Sequence, residues 1–199
     1  LRMGVARAAE ELGALVGAPA VEVTAETDHG AAERARLVVG TEAVLHRTAA
    51  ADLVCFLDLD QHLLAPRFAA AEEALALLAR AARLVGPRHR GGRLLVQTRL
   101  PGHDAVVSAA RADPGLLAGT ERSLRAELGL PPFGALALLR GAGAGELAEA
   151  LSAREGLTAS GEGPERVLVR AGDHAALCDA LAAEPRPSGV RVEVDPVAV

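Results

Sequence analysis

Two carboxylates two residues apart, Asp58 and Asp60, close the segment Phe56-Leu57-Asp58-Leu59-Asp60 after an apolar run. If that run is a strand of an open α/β sheet, both leave its C-terminal end, the edge where such sheets place ligands. Oxygen ligands there suit Mg²⁺, which is held by one or two carboxylates while water or phosphate fills the other positions. Gly40 and Thr41 close a second apolar run. A glycine and a hydroxyl after a strand can turn N–H and O–H groups toward a phosphate, or simply end the strand in a turn. Arg83, Arg88, Arg90 and Arg93, with His89 among them, form the densest basic run. It is either a solvated turn or a strip that neutralises nucleic-acid phosphates through Arg88, Arg90 and Arg93. No aromatic residue interleaves, so base stacking is not indicated.

Other constellations fail on spacing. His46, His62 and His103 lack the i, i+4 arrangement of a metal site. Cys55 and Cys178 stand far apart without a second pair, so no metal site is expected and both read as buried free thiols of a reducing compartment. Neither Ser108 nor Ser123 lies in a G-x-S-x-G elbow, and Gly4, Gly13 and Gly17 make no dinucleotide loop. The chain has no lysine at all, which excludes a G-x-x-x-x-G-K-[ST] phosphate loop. No catalytic residue is therefore assigned. Asp58 and Asp60 do resemble the opening D-x-D of haloacid dehalogenase-type phosphatases, which implies an Mg²⁺-dependent phosphatase with Asp58 as nucleophile and Asp60 as general acid/base. Gln61, His62 and the missing lysine depart from that pattern.

The elements that must position these groups follow from periodicity. With 199 residues, half of them hydrophobic, the chain can bury one large core or two small ones. A helix over residues 5–16 stops at Gly17, a strand follows over 20–24, and residues 28–35 are helix-compatible. Residues 36–41 and 53–57 have the form of buried parallel strands. The longest helix spans 66–85, then comes a basic turn over 88–92 and a strand over 93–98. Alternating strands and helices argue for an α/β layer with a mostly parallel sheet over residues 1–100. A helical connection, 101–130, runs from about 103 to 128 and ends at Gly129-Leu130-Pro131-Pro132-Phe133. Beyond it, residues 131–199 read β-α-β-β-α-β, the order of a small α+β, ferredoxin-like split β-α-β domain. Its last helix, 173–183, is capped by Asp173.

Net charge is −5, so any affinity for nucleic acid must come from a local patch. No stretch of 18 apolar residues occurs, and a cytoplasmic protein with no membrane partner is expected. Leu1-Arg2 ahead of Met3 reads as the start of a fragment.

Several segments, taken in order, resemble the second helicase lobe and C-terminal region of the primosomal protein N′ (PriA, replication restart) family. Val38-Val39-Gly40-Thr41-Glu42 is similar to its G-T-Q motif. Leu57-Asp58-Leu59-Asp60 with Phe68-Ala69-Ala70-Ala71-Glu72 resembles its L-D-x-D…F-R-A-A-E segment. Leu95-Val96-Gln97-Thr98, Pro101-Gly102-His103, the Gly129 to Phe133 turn and the closing Val194-Asp195-Pro196-Val197 follow in matching order. The resemblance implies a RecA-like second motor lobe over 1–100 and DNA, branched or forked, as partner, with single-strand-binding and other primosome proteins as further partners.

The family's zinc and ATP are implied as well, but their ligands are absent or altered here. Active members carry Q-x-x-G-R-x-G-R, whose arginines stabilise charge on the ATP phosphates. This chain has Arg80-Ala81-Ala82-Arg83-Leu84-Val85-Gly86-Pro87, with Leu84 and Pro87 at the arginine positions. The segment 42–48 also lacks the family's Lys-Gly pair. A DNA-binding replication restart protein without helicase activity of its own is thus expected, and the C-terminal half of an active ATP-dependent 3′-5′ DNA helicase is the alternative.

Overall fold

A computed structural model describes residues 4–24, 30, 32 and 35–196, the side chain of Glu162 excepted. Most of the helix-compatible stretch 28–35, and the final Val197 of the closing motif, fall on residues outside that set. The chain divides into two units, residues 1–63 with 72–109, and 64–71 with 110–199.

In the first unit, helix α1 (Val5–Val16) stops because Gly17 takes the left-handed conformation and returns its N–H to the Gly13 carbonyl. Strand β1 (Ala20–Val23) then pairs in parallel with β2 (Leu37–Gly40), Val23 facing Gly40. A Cβ at position 40 would lie 1.9 Å from the Val23 carbonyl oxygen, so only glycine lets the strands meet there. A short helix α2 (Ala43–Arg47), strand β3 (Leu53–Phe56) and a single turn α3 (Asp60–Leu63) follow. Helix α4 (Ala70–Val85) buries Ala74, Leu78 and Ala81 in one stripe. Strand β4 (Arg93–Val96) pairs in parallel with β3 and leads into α5 (Asp104–Arg111).

The expected strands all form and all pair in parallel, yet as two separate two-stranded sheets. The expectation that 36–41 and 53–57 would be buried is corrected accordingly. β2 is half-buried throughout, while β3 and β4 alternate exposed and half-buried residues, leaving Leu53 50% and Leu95 55% exposed. A parallel strand is buried on both faces only where helices cover both sides of its sheet. Cys55, directly opposite Leu95, is on the exposed side, and Cys178 is exposed on its helix, so neither thiol is buried as expected.

The helical connection over 103–128 forms as two helices, α5 and α6 (Pro114–Leu128). Pro114 has no N–H to donate and drives the preceding residue out of the helical region. Asp113 accordingly takes extended angles and accepts a hydrogen bond from the Gly115 N–H at 3.0 Å, capping α6. The 66–85 helix likewise starts later, at Ala70, after turn bonds such as Ala70 N–H to the Arg67 carbonyl.

The second unit contains β5 (Ala135–Arg140), α7 (Ala144–Ser152), β6 (Leu157–Gly163), β7 (Arg166–Ala171), α8 (His174–Ala183) and β8 (Arg191–Val194). They give one antiparallel sheet in the order β6-β7-β5-β8, with the β-α-β-β-α-β connectivity that the sequence order predicts. Ala135, Ala137 and Leu139 alternate along β5 and pack with Val167 and Val169 of β7, Leu147 and Leu151 of α7, and Leu177 of α8. Asp173 caps α8 by accepting from Ala176 N–H at 2.8 Å, as expected. Asp195 ties down the end of β8. Its N–H donates to the Leu136 carbonyl at 2.8 Å, and its carboxylate accepts from Leu136 N–H and pairs with His174 Nε2. Among the described residues no helix is long and apolar enough to cross a membrane.

Leu139 is fully buried and Leu15 is 82% exposed. In urea titrations Leu139→Ala is expected to lose about 2–5 kcal/mol of stability in the second unit. Leu15→Ala should stay within about 0.5 kcal/mol of the parent.

Candidate functional site

The residues singled out by type and spacing occupy three places in the first unit. Gly40 and Thr41 close β2. Thr41 is exposed, its carbonyl accepts from Val44 N–H at 3.0 Å, and its hydroxyl accepts from Ala43 N–H across a long 3.5 Å. The pair thereby launches α2, a helix too short to gather a strong dipole at its start. The packing of Gly40 on Val23 gives that glycine a structural reason of its own.

The basic strip lies at the opposite end of β4 from the aspartates. Arg88–Arg90 form a single 3-10 turn that begins after Pro87 and ends at Gly91, whose left-handed backbone returns its N–H to the Arg88 carbonyl. Arg93 then starts β4, its N–H bonded to the Asp52 carbonyl at 3.0 Å. The side chains of Arg83, Arg88, Arg90 and Arg93 are exposed, and none makes an ion pair among the described residues. Four like charges on so short a stretch repel one another, and an anion bound there would relieve that repulsion.

The two aspartates have separate partners. Leu59 between them is fully buried and donates its N–H to the Gln97 carbonyl at 3.2 Å. The Asp60 carboxylate accepts from the Thr98 hydroxyl and from Arg99 N–H, at 3.2 and 3.1 Å to its two oxygens. These bonds, the Thr98 hydroxyl foremost and the Arg99 N–H next, hold the Asp60 carboxyl below the usual carboxylate range. Asp58 is exposed and accepts from Gln61 Nε2 at 2.6 Å. Asp60 therefore locks the turn after β4 to the end of β3. Nothing in the spacing of Asp58 and Asp60 announces Thr98 as a partner, because the pairing arises only once β3 and β4 lie side by side. Among the described residues no three His, Cys, Asp or Glu side chains gather as a metal-holding group.

The segment 80–87 has also acquired structural duties. Arg80 donates through Nε to the Leu45 carbonyl at 2.7 Å, tying α4 to α2, and the Leu84 carbonyl accepts from Ala51 N–H at 3.1 Å. Pro87 precedes the basic turn and is exposed. Neither Leu84 nor Pro87 carries a cation and Arg80 is already engaged, which leaves Arg83 as the exposed cation of this stretch. A scan of the chain against protein-family models finds no match.

The lowered Asp60 pKa fixes the sign of a pH effect. Its contribution to stability is fully present above the unfolded value of about 4 and is lost as pH falls through the lower folded value. Asp60→Asn should therefore lower the melting temperature at neutral pH. The gap to the parent should close as the medium is acidified below pH ~4 in thermal melts followed by circular dichroism.

Proposed function

We propose that this chain is a DNA-binding component of replication restart, similar to the second motor lobe and C-terminal region of primosomal protein N′, in which the lobe serves as scaffold and the ATP chemistry has decayed. The first unit, with parallel strand pairs joined through helices, is read as the RecA-like lobe. Arg88, Arg90 and Arg93 are its DNA-contacting strip, and Gly40 and Thr41 add a phosphate contact at the end of β2.

The observation that carries this reading is the strip itself: exposed guanidinium groups without ion pairs, Arg88 and Arg90 on a turn framed by Pro87 and Gly91 and Arg93 at the start of β4. Arginine forks suit phosphate oxygens, and phosphate contacts position a protein on DNA without reading its sequence. A chain of net charge −5 needs such a strip to bind a polyanion at all. The decayed chemistry is supported by the residues at 80–87. An arginine finger contributes on the order of 10³ to 10⁵ in rate, and the positions that would supply it hold Leu84 and Pro87.

Fluorescence anisotropy with a labelled forked DNA, repeated over a range of salt concentrations, tests the reading. Binding should weaken linearly in log–log form. The Arg88→Gln, Arg90→Gln, Arg93→Gln triple variant should reduce the slope by about 1 for each phosphate that is no longer neutralised, about 3 in all. ATP hydrolysis with the same DNA should stay at background. Robust DNA-stimulated turnover would overturn the decayed-motor reading, and salt-insensitive binding would overturn the strip.

A further inference from the structure

Histidine is the side chain whose charge ordinarily changes between about pH 5 and 8, so its surroundings decide what that change does. His103 accepts from Ala105 N–H at 3.2 Å through Nδ1, and His174 pairs with Asp195. His46 and His62 lie on the short helices α2 and α3. His89 is placed differently. It stands between Arg88 and Arg90 in the 3-10 turn, is exposed, and makes no side-chain hydrogen bond or ion pair among the described residues.

The backbone under the imidazole is pinned at both ends. Arg90 N–H donates to the Pro87 carbonyl at 3.0 Å, and Gly91, with φ 92, returns its N–H to the Arg88 carbonyl. A Cβ at position 92 would lie 2.1 Å from the Val85 carbonyl oxygen, so the chain leaving the turn passes directly against the end of α4. Side chains of consecutive residues leave such a turn at intervals of about 120°.

Consecutive Cα atoms are about 3.8 Å apart, well inside the screening length of about 8 Å at physiological salt. A charge on His89 therefore adds to the same local field as the charges of Arg88 and Arg90. The adjoining segments contribute Arg83 from the last turn of α4 and Arg93 at the start of β4. They also contribute Asp52, whose carbonyl accepts from Arg93 N–H. Across residues 48–52 and 80–93 it is the one acidic residue.

We propose that His89 makes the affinity of the basic strip for DNA depend on proton concentration. The inference rests on the DNA-binding reading and adds its regulation. Guanidinium groups keep their charge throughout this range, and DNA carries a fixed charge per phosphate, so the imidazole is the member of the contact that can change. Phosphates attract the imidazolium and not the neutral ring, so forming the complex takes up a proton wherever the free chain lacks one. The sign follows directly. Affinity is highest on the acid side of the histidine range and is lost as pH rises through it. A single group bounds the change at about tenfold in Kd per pH unit. With the ring charged, the strip neutralises one more phosphate, and the salt slope steepens by about 1.

Anisotropy of a labelled forked DNA with the whole chain, from about pH 5.5 to about pH 8 at fixed ionic strength, tests this. The parent should bind about tenfold more tightly at the acid end, equivalent to one pH unit of preference for the charged ring in the complex. A salt series at each end should show the slope steeper by about 1 at the acid end. His89→Gln should match the parent at the alkaline end and lose both the gain and the extra slope. His89→Arg, charged throughout, should show the parent's acid-end affinity and slope at both ends. Because the side chain is exposed and unbonded, both variants should stay within about 0.5 kcal/mol of the parent in thermal melts. If the parent binds DNA indifferently to pH, or His89→Gln keeps the dependence, the inference falls while the strip stands. If the parent binds no DNA at low salt at any pH, the DNA-binding reading falls and its regulation with it.

Discussion

The first unit depends on how two four-residue strands stay paired. A two-stranded ladder is marginal by itself, and β3 with β4 is one. The chain on either side of the ladder supplies the remainder. Arg93 bonds back to Asp52 at one end, and at the other Gln97 bonds to Phe56, Leu59 to Gln97, and the Asp60 carboxylate to Thr98 and Arg99. Buried Leu59 anchors the segment between its two aspartates. From that single arrangement it follows that Asp60 faces its neighbouring turn, that Asp58 faces water, and that the basic turn before Arg93 projects from the far end.

The absence of lysine gives the arginines a double role. A planar fork with several donors can be bonded to a backbone carbonyl and still pack its stem. Arg80, Arg125 and Arg170 are used in this way, each on a carbonyl that ends or follows a helix. Carbonyls at helix ends lack intrahelical partners, so these bonds satisfy groups that would otherwise need water. Once such arginines are set aside, Arg83, Arg88, Arg90 and Arg93 stand out as neighbouring exposed arginines without ion pairs among the described residues. Composition alone does not make that separation, because every arginine contributes the same formal charge.

Much of the fold is legible residue by residue. Gly17 ends α1, Gly129 ends α6 and Asp173 opens α8 because left-handed backbone and side-chain caps are local matters settled within a few residues. Asp113-Pro114 carries an equally local signal, and it is the proline, not the tertiary fold, that splits the long connection into α5 and α6. The pattern β-α-β-β-α-β is readable for the same reason, since each element announces its own period. Burial of β2, β3 and β4 is not legible in this way. An apolar run looks the same whether helices cover both faces of its sheet or one, and only the assembled layers show that Cys55, Leu53 and Leu95 remain exposed.

The candidate site divides along the same line. The sequence by itself determined that there is no phosphate loop, that Leu84 and Pro87 cannot supply a cation, and that Arg88 and Arg90 share a turn with Arg93 just beyond it, since these are properties of residue type and short spacing. Tertiary structure alone decided that Asp60 is held by Thr98 and that Arg80 is spent on the Leu45 carbonyl. Strand pairing and helix packing bring together groups far apart along the chain, and no local rule encodes which strand becomes whose neighbour or in which register.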